Sequence, residues 1–222
     1  MKIKFNIFIF AILIIFITVL FYANKSKQNS DENEIMNIET SNTLNTPPNI
    51  TPAKSIAVFA SPIDKPYDRA TKKIIGTYVS PKNSPINPEK FTGYHTGVDF
   101  ETFTSEKDSD VPIFAICTGK LIRNQFGRGY GGMTVQACEF NGTPVTVVYG
   151  HIRLSSITAK IGDALTKGEQ FAVLGTGYSP ETDGERKHLH LGIHKGSNVN
   201  TSGYIADKSL LSNWISILPY IQ

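Results

Sequence analysis

Residues 187–194 read KHLHLGIH. In an extended chain, residues two apart share a face. His188 and His190 therefore project together, while Leu189 and Leu191 turn the other way. Such a strand rests its leucines on an apolar core and leaves its histidines free for chemistry. Residues 93–100, GYHTGVDF, obey the same arithmetic. His95, Gly97 and Asp99 lie on one side, and Thr96, Val98 and Phe100 on the other. Gly97 leaves room for something to approach between the two polar groups. A third segment, TVVYGHI at 146–152, carries His151. The chain has five histidines, all within these three segments; four of them make the pattern, and His194, the fifth, reads as an ordinary core or surface residue.

The surrounding sequence has a β texture. Runs rich in Val, Ile, Tyr and Phe at 75–79, 94–101, 111–116, 120–124, 133–140, 144–151, 171–174 and 188–194 alternate with Gly, Pro, Asn and Asp. The segment FGRGYGG at 126–132 is a hairpin turn. One short helix is expected at 208–217, with Asp207 as its N-cap. These signals predict a mostly β domain over 55–222, an antiparallel sheet sandwich or split barrel, with its core at about 90–195. Cys117 and Cys138 flank the hairpin. In an exported domain they would form a disulfide, and otherwise they would be two buried thiols.

The beginning of the chain reads differently. Residues 5–23, FNIFIFAILIIFITVLFYA, carry no charge and have about the length that spans a bilayer as a helix. A signal-peptide core is shorter, and cleavage after Ala23 would put bulky Phe21 where a small residue is needed. The expectation is a single-pass membrane anchor with residues 1–4 as a cytoplasmic stub and the domain outside; the alternative is secretion after cleavage. Residues 24–54 are polar, lack aromatics and contain Pro47-Pro48, which reads as a flexible linker. Its mean reach is roughly 30 Å. The formal charge of +3 over 222 residues is too mild to imply nucleic acid.

Two imidazoles and a carboxylate converging from separate strands suit Zn²⁺. Three protein ligands leave a fourth position for water, whose pKa the metal lowers toward about 7. No HExxH run is present, so no adjacent glutamate offers itself as base. A histidine is the group that titrates near neutral pH.

GYHTGVDF, VVYGHI and KHLHLGIH together resemble the motifs of the lysostaphin-type or LytM zinc endopeptidases, peptidase family M23. DVPIFAICTGKLI at 110–122 and GDALTKGEQFAVLGTGYS at 162–179 resemble the intervening text. The resemblance implies the lysostaphin-like fold and one Zn²⁺ per domain, held by His95, Asp99 and His190. It makes His151 and His188 the catalytic pair, and the peptides of cell-wall peptidoglycan (stem or cross-bridge) the substrate. The family usually has an acidic residue shortly after the HxH, where this chain has Gly192. The charged loop YSPETDGERK at 178–187 would border the cleft and set substrate preference, or be a solvated loop. Tyr149 and Tyr204 would line the substrate groove or serve as strand filling. Two other readings use the same features. One is a non-catalytic wall-binding or hydrolase-regulating module on this fold; the other is a zinc carboxypeptidase or amidase acting on peptidoglycan.

Overall fold

The structure, a computed structural model, describes residues 58–221. The expectations for residues 1–4, 5–23 and 24–54 lie outside the described residues. Among those described, no helix is long and apolar enough to cross a membrane. They fall in one compact unit, Lys54–Gln222.

Among the described residues twelve strands run in chain order: β1 (Tyr78–Val79), β2 (Gly93–His95), β3 (Gly97–Glu101), β4 (Pro112–Phe114), β5 (Gly119–Gly127), β6 (Gly131–Phe140), β7 (Thr143–Gly150), β8 (Ala164–Leu165), β9 (Gln170–Val173), β10 (His188–Lys195), β11 (Tyr204–Ile205) and β12 (Trp214–Ile215). Every pairing between them is antiparallel. The large sheet has the order β12-β10-β7-β6-β5-β8, and β3 shares an edge of β10 with β12. A second sheet is β1-β2-β11, and a third is β4-β9. The expected mostly β, antiparallel architecture is present.

The leucines of β10 fall where their alternation predicts. Leu189, Leu191 and Ile193 are buried with Val98 and Phe100 of β3 and Val145, Val147 and Tyr149 of β7. Ile113 and Phe171 from the small β4-β9 sheet join the same core. Fully burying one such aliphatic side chain is worth about 1.5–3 kcal/mol. The opposite face of the large sheet carries a smaller cluster, Tyr130, Met133, Val135 and Val148.

Three features differ from expectation. The run 94–101 is two strands, because Thr96 turns its backbone N–H and its hydroxyl to the carbonyls of Gly203 and Ser202. His95 therefore belongs to the second sheet and Asp99 to the large one. The hairpin ladder extends further than expected, with Gly127 paired to Gly131. Only Arg128, Gly129 and Tyr130 remain as its loop. Gly131 has φ +69°, and a Cβ there would strike the Glu181 carbonyl. The expected helix at 208–217 is a 3₁₀ segment, Lys208–Asn213, in which Asp207 caps the Ser209 N–H. It stops because Trp214 and Ile215 leave it to pair with β10.

Cys117 and Cys138 form a disulfide with Cα atoms 6.1 Å apart, closing a separation of 21 residues. Loop-closure entropy makes such a link worth about 3 kcal/mol. Replacing both cysteines with serine should lower the melting temperature by roughly 6–12 °C, read by calorimetry. An unchanged melt would show that the bridge does not constrain the unfolded chain.

Candidate metal centre

The site lies where the two larger sheets meet. β2 supplies His95, β3 supplies Asp99, and β10 supplies His188 and His190. In the β3–β10 register Asp99 is opposite His190 and Gly97 opposite Gly192. On its other edge β10 sets His190 against Gly150 of β7, and His151 follows directly. Gly97 permits the close approach: a Cβ there would run into the Leu191 carbonyl and lie 2.9 Å from the His190 ring.

His95 Nε2 lies 3.1 Å from Asp99 Oδ1. His190 Nδ1 lies 3.1 Å from the same oxygen and 3.0 Å from His95 Nε2. All three residues are buried. Ligand atoms about 2.0–2.1 Å from a tetrahedral zinc would stand roughly 3.3 Å apart. The observed triangle is a slightly contracted version of one tetrahedral face, so the donor set and its spacing fit a divalent metal. His95 Nδ1 faces the Ile74 carbonyl at 3.4 Å. A proton on that nitrogen leaves Nε2 with its lone pair toward the cluster.

The other two histidines sit side by side, with the His151 and His188 ring centroids 4.2 Å apart. His188 Nδ1 is 2.9 Å from the Arg186 carbonyl, to which it donates, and its Nε2 is 3.3 Å from Asp99 Oδ2. His151 has a left-handed backbone, φ 65°. Its buried Nδ1 has no hydrogen-bond partner among the described residues.

Burial pushes the His190 pKa down to about 4, against the opposing pull of Asp99. Burial, reinforced by His188, puts His151 well below its usual value. Burial alone would raise Asp99, but His95 and His188 outweigh it and hold the carboxyl well below the ordinary range. The metal-free cluster thus presents one carboxylate and a neutral His190, the protonation states that ligation requires.

A cleft of about 260 Å³ opens onto Asp99, His151, His188 and His190. Tyr204 forms part of its wall, with its ring 5.2 Å from His95 and its hydroxyl accepting from Lys73 Nζ at 2.8 Å. The loop at 178–187 borders the cleft through Glu185 and Arg186. It is packed rather than free: Asp183 accepts the Gly129 N–H at 2.6 Å, and Thr182 is fully buried.

Tyr149 does not line the groove. Its side chain is fully buried in the main core, accepting from the Ile116 N–H and donating to Gln136 Oε1. It sits opposite Leu191 in the β7–β10 register, on the core face.

Residues 93–201 match the peptidase family M23. That stretch, which holds all five site residues, belongs to peptidase family M23. No curated protein matches the sequence. Among solved structures, one of LytU is 23% identical, covering 66% of this chain and 86% of that one, with a TM-score of 0.44. A zinc-containing peptidase from Vibrio cholerae is 23% identical over 60% of this chain and 35% of that one, TM-score 0.39. The SpoIIQ–SpoIIIAH pore-forming complex provides a third, 13% identical over 76% and 93%, TM-score 0.49. The chain thus spans about a third of the Vibrio peptidase.

Three contributors to the M23 site escaped the sequence reading. Glu101 and Arg186 bond to each other beside the cluster, and Tyr130 lies over His190, hydroxyl to Nε2 at 3.5 Å. Period-two counting would have found the first pair. Glu101 is two residues past Asp99, and Arg186 is two before His188. Tyr130 carries no such signal, because it sits in the hairpin loop.

Tyr149→Phe strips a partner from the buried Ile116 N–H and Gln136 amide. It should destabilise the protein by about 1–3 kcal/mol and leave KM for a peptide substrate unchanged. A raised KM with an unaltered denaturation curve would return this ring to the cleft.

Proposed function

We propose that this M23 unit is a zinc endopeptidase that hydrolyses peptide bonds of cell-wall peptidoglycan. The observation that carries the reading is the buried triangle of His95, Asp99 and His190 donor atoms, 3.0–3.1 Å apart, with two further imidazoles beside it. Family membership supports peptide hydrolysis; the resemblance of the three motifs supports the wall peptide as substrate. A zinc ion held by these three residues would supply Lewis acidity to a carbonyl and would acidify water.

The protein's own groups account for the rest. His188 is fixed in orientation by its Nδ1 bond to the Arg186 carbonyl, which leaves Nε2 to exchange a proton at the cleft. His151, its ring tilted against that of His188 with centroids 4.2 Å apart, is the second proton-handling group, and together they can take a proton from water and return it to the leaving amine. Burial of both rings excludes bulk water and strengthens their interaction with developing charge.

The uncharged segment 5–23 supports a membrane anchor, with the peptidase unit held outside by residues 24–54. The Cys117–Cys138 bridge is consistent with an oxidising compartment.

His190→Ala should lose both zinc, measured by metal mass spectrometry, and turnover. His151→Ala should keep zinc and lose about 10²–10⁴-fold in kcat. Normal hydrolysis by the His151 variant would refute this division of roles. Products read by mass decide the bond class: release of a terminal D-alanine or of lactyl-linked peptides would replace the endopeptidase reading with a carboxypeptidase or an amidase.

A further inference from the structure

The two oxygens of Asp99 have different surroundings. Oδ1 faces His95 Nε2 and His190 Nδ1, both at 3.1 Å. Oδ2 faces away from that triangle, toward Arg186 at 2.9 Å and His188 Nε2 at 3.3 Å. The Arg186 guanidinium is held in turn. Its Nε donates to both Glu101 oxygens, at 2.9 and 3.1 Å, and the nitrogen that reaches Asp99 also bonds Glu101. Lys72 backs Glu101 from the outside at 3.3 Å. The guanidinium side chain is only 12% exposed, so these bonds form in a poorly solvated wall where charge-assisted contacts are strong.

We propose that Arg186 is a positioning residue that reserves one oxygen of Asp99 and thereby presents the other, alone, to the metal cluster. This inference rests on the zinc reading above. A planar fork can span two carboxylates at once, which the single point charge of a lysine does not do. Glu101 sits opposite His188 in the β3–β10 register, and Arg186 lies two residues before that histidine. Glu101 and Arg186 are therefore fixed by the same pairing that brings Asp99 to His190. Without Arg186, the carboxylate is free to rotate and turn both oxygens toward the cluster, occupying the position that a substrate or water needs. The Arg186 carbonyl holds His188 as well, but a side-chain substitution leaves that contact intact. The role assigned to the guanidinium is thus separable from the catalytic pair.

Arg186→Gln leaves Asp99 and Glu101 facing one another without their shared counter-charge. The charge-balanced double variant Arg186→Met/Glu101→Gln, which removes one charge of each sign, is the companion for the case in which the single variant does not fold. Zinc affinity is measured on the full-length protein by competition with a chromogenic chelator, and cobalt(II)-loaded protein is compared by visible absorption. The expected result is a 10–100-fold weaker affinity and loss of intensity in the cobalt d–d bands, with the metal-free melting curve of the double variant close to that of the wild type. Wild-type affinity and unchanged cobalt bands in a folded variant would overturn this inference alone. A wild-type protein that binds no zinc would overturn the zinc reading, and this inference with it.

Discussion

In the antiparallel pairing of β3 with β10, Asp99 lies opposite His190 and Val98 opposite Leu191. One register serves both sides of the sheet. The apolar members enter the main core, and the polar members line the cleft. A slip of one residue would exchange the faces, exposing leucines and burying the site among aliphatic side chains. The core therefore selects the register that brings Asp99 to His190 in the candidate metal cluster, and hydrophobic burial holds polar groups together that would not assemble by themselves. Gly97 is the local condition for this arrangement, since a side chain there would collide with the His190 ring and the Leu191 backbone.

The same pairing explains what the sequence disclosed. His188, His190 and Asp99 stand in short segments where a period of two is legible, and their positions in the fold follow from it; His95 is set apart by the break at Thr96, which carries it into the second sheet. Of the two readings of Tyr149, groove lining and strand filling, the structure takes the second for a specific reason. It stands two residues before His151, so an unbroken strand would put both on one face. The strand instead ends at Gly150, and His151 takes a left-handed φ of 65°, which breaks the alternation and swings the imidazole toward His188 while Tyr149 stays in the core. A non-glycine residue held in that region costs of order 1 kcal/mol or more. The two-residue strands β1, β8, β11 and β12 are too short to show any period, and the last of these replaces the end of an expected helix. They are fixed by long-range pairing alone, as when Tyr204 is set opposite His95 by β11.

Much of the charge around the cleft is arranged in pairs. Lys73 meets Glu89 at 2.7 Å, Lys90 meets Glu185 at 3.0 Å, and Arg186 answers Asp99 and Glu101 with Lys72 behind. Breaking a buried pair such as Lys73–Glu89 is far more costly than never having built it, so that pair also rigidifies the wall. Its electrostatic consequence concerns the cluster. Because Arg186 already neutralises much of the field of Asp99, the carboxylate is not a large surplus of negative charge. A divalent cation joining two imidazoles and this carboxylate would keep most of its own charge unopposed. Negative charge developing on a substrate carbonyl oxygen would then meet a net positive, water-poor site, the condition under which electrostatic stabilisation contributes most to hydrolysis.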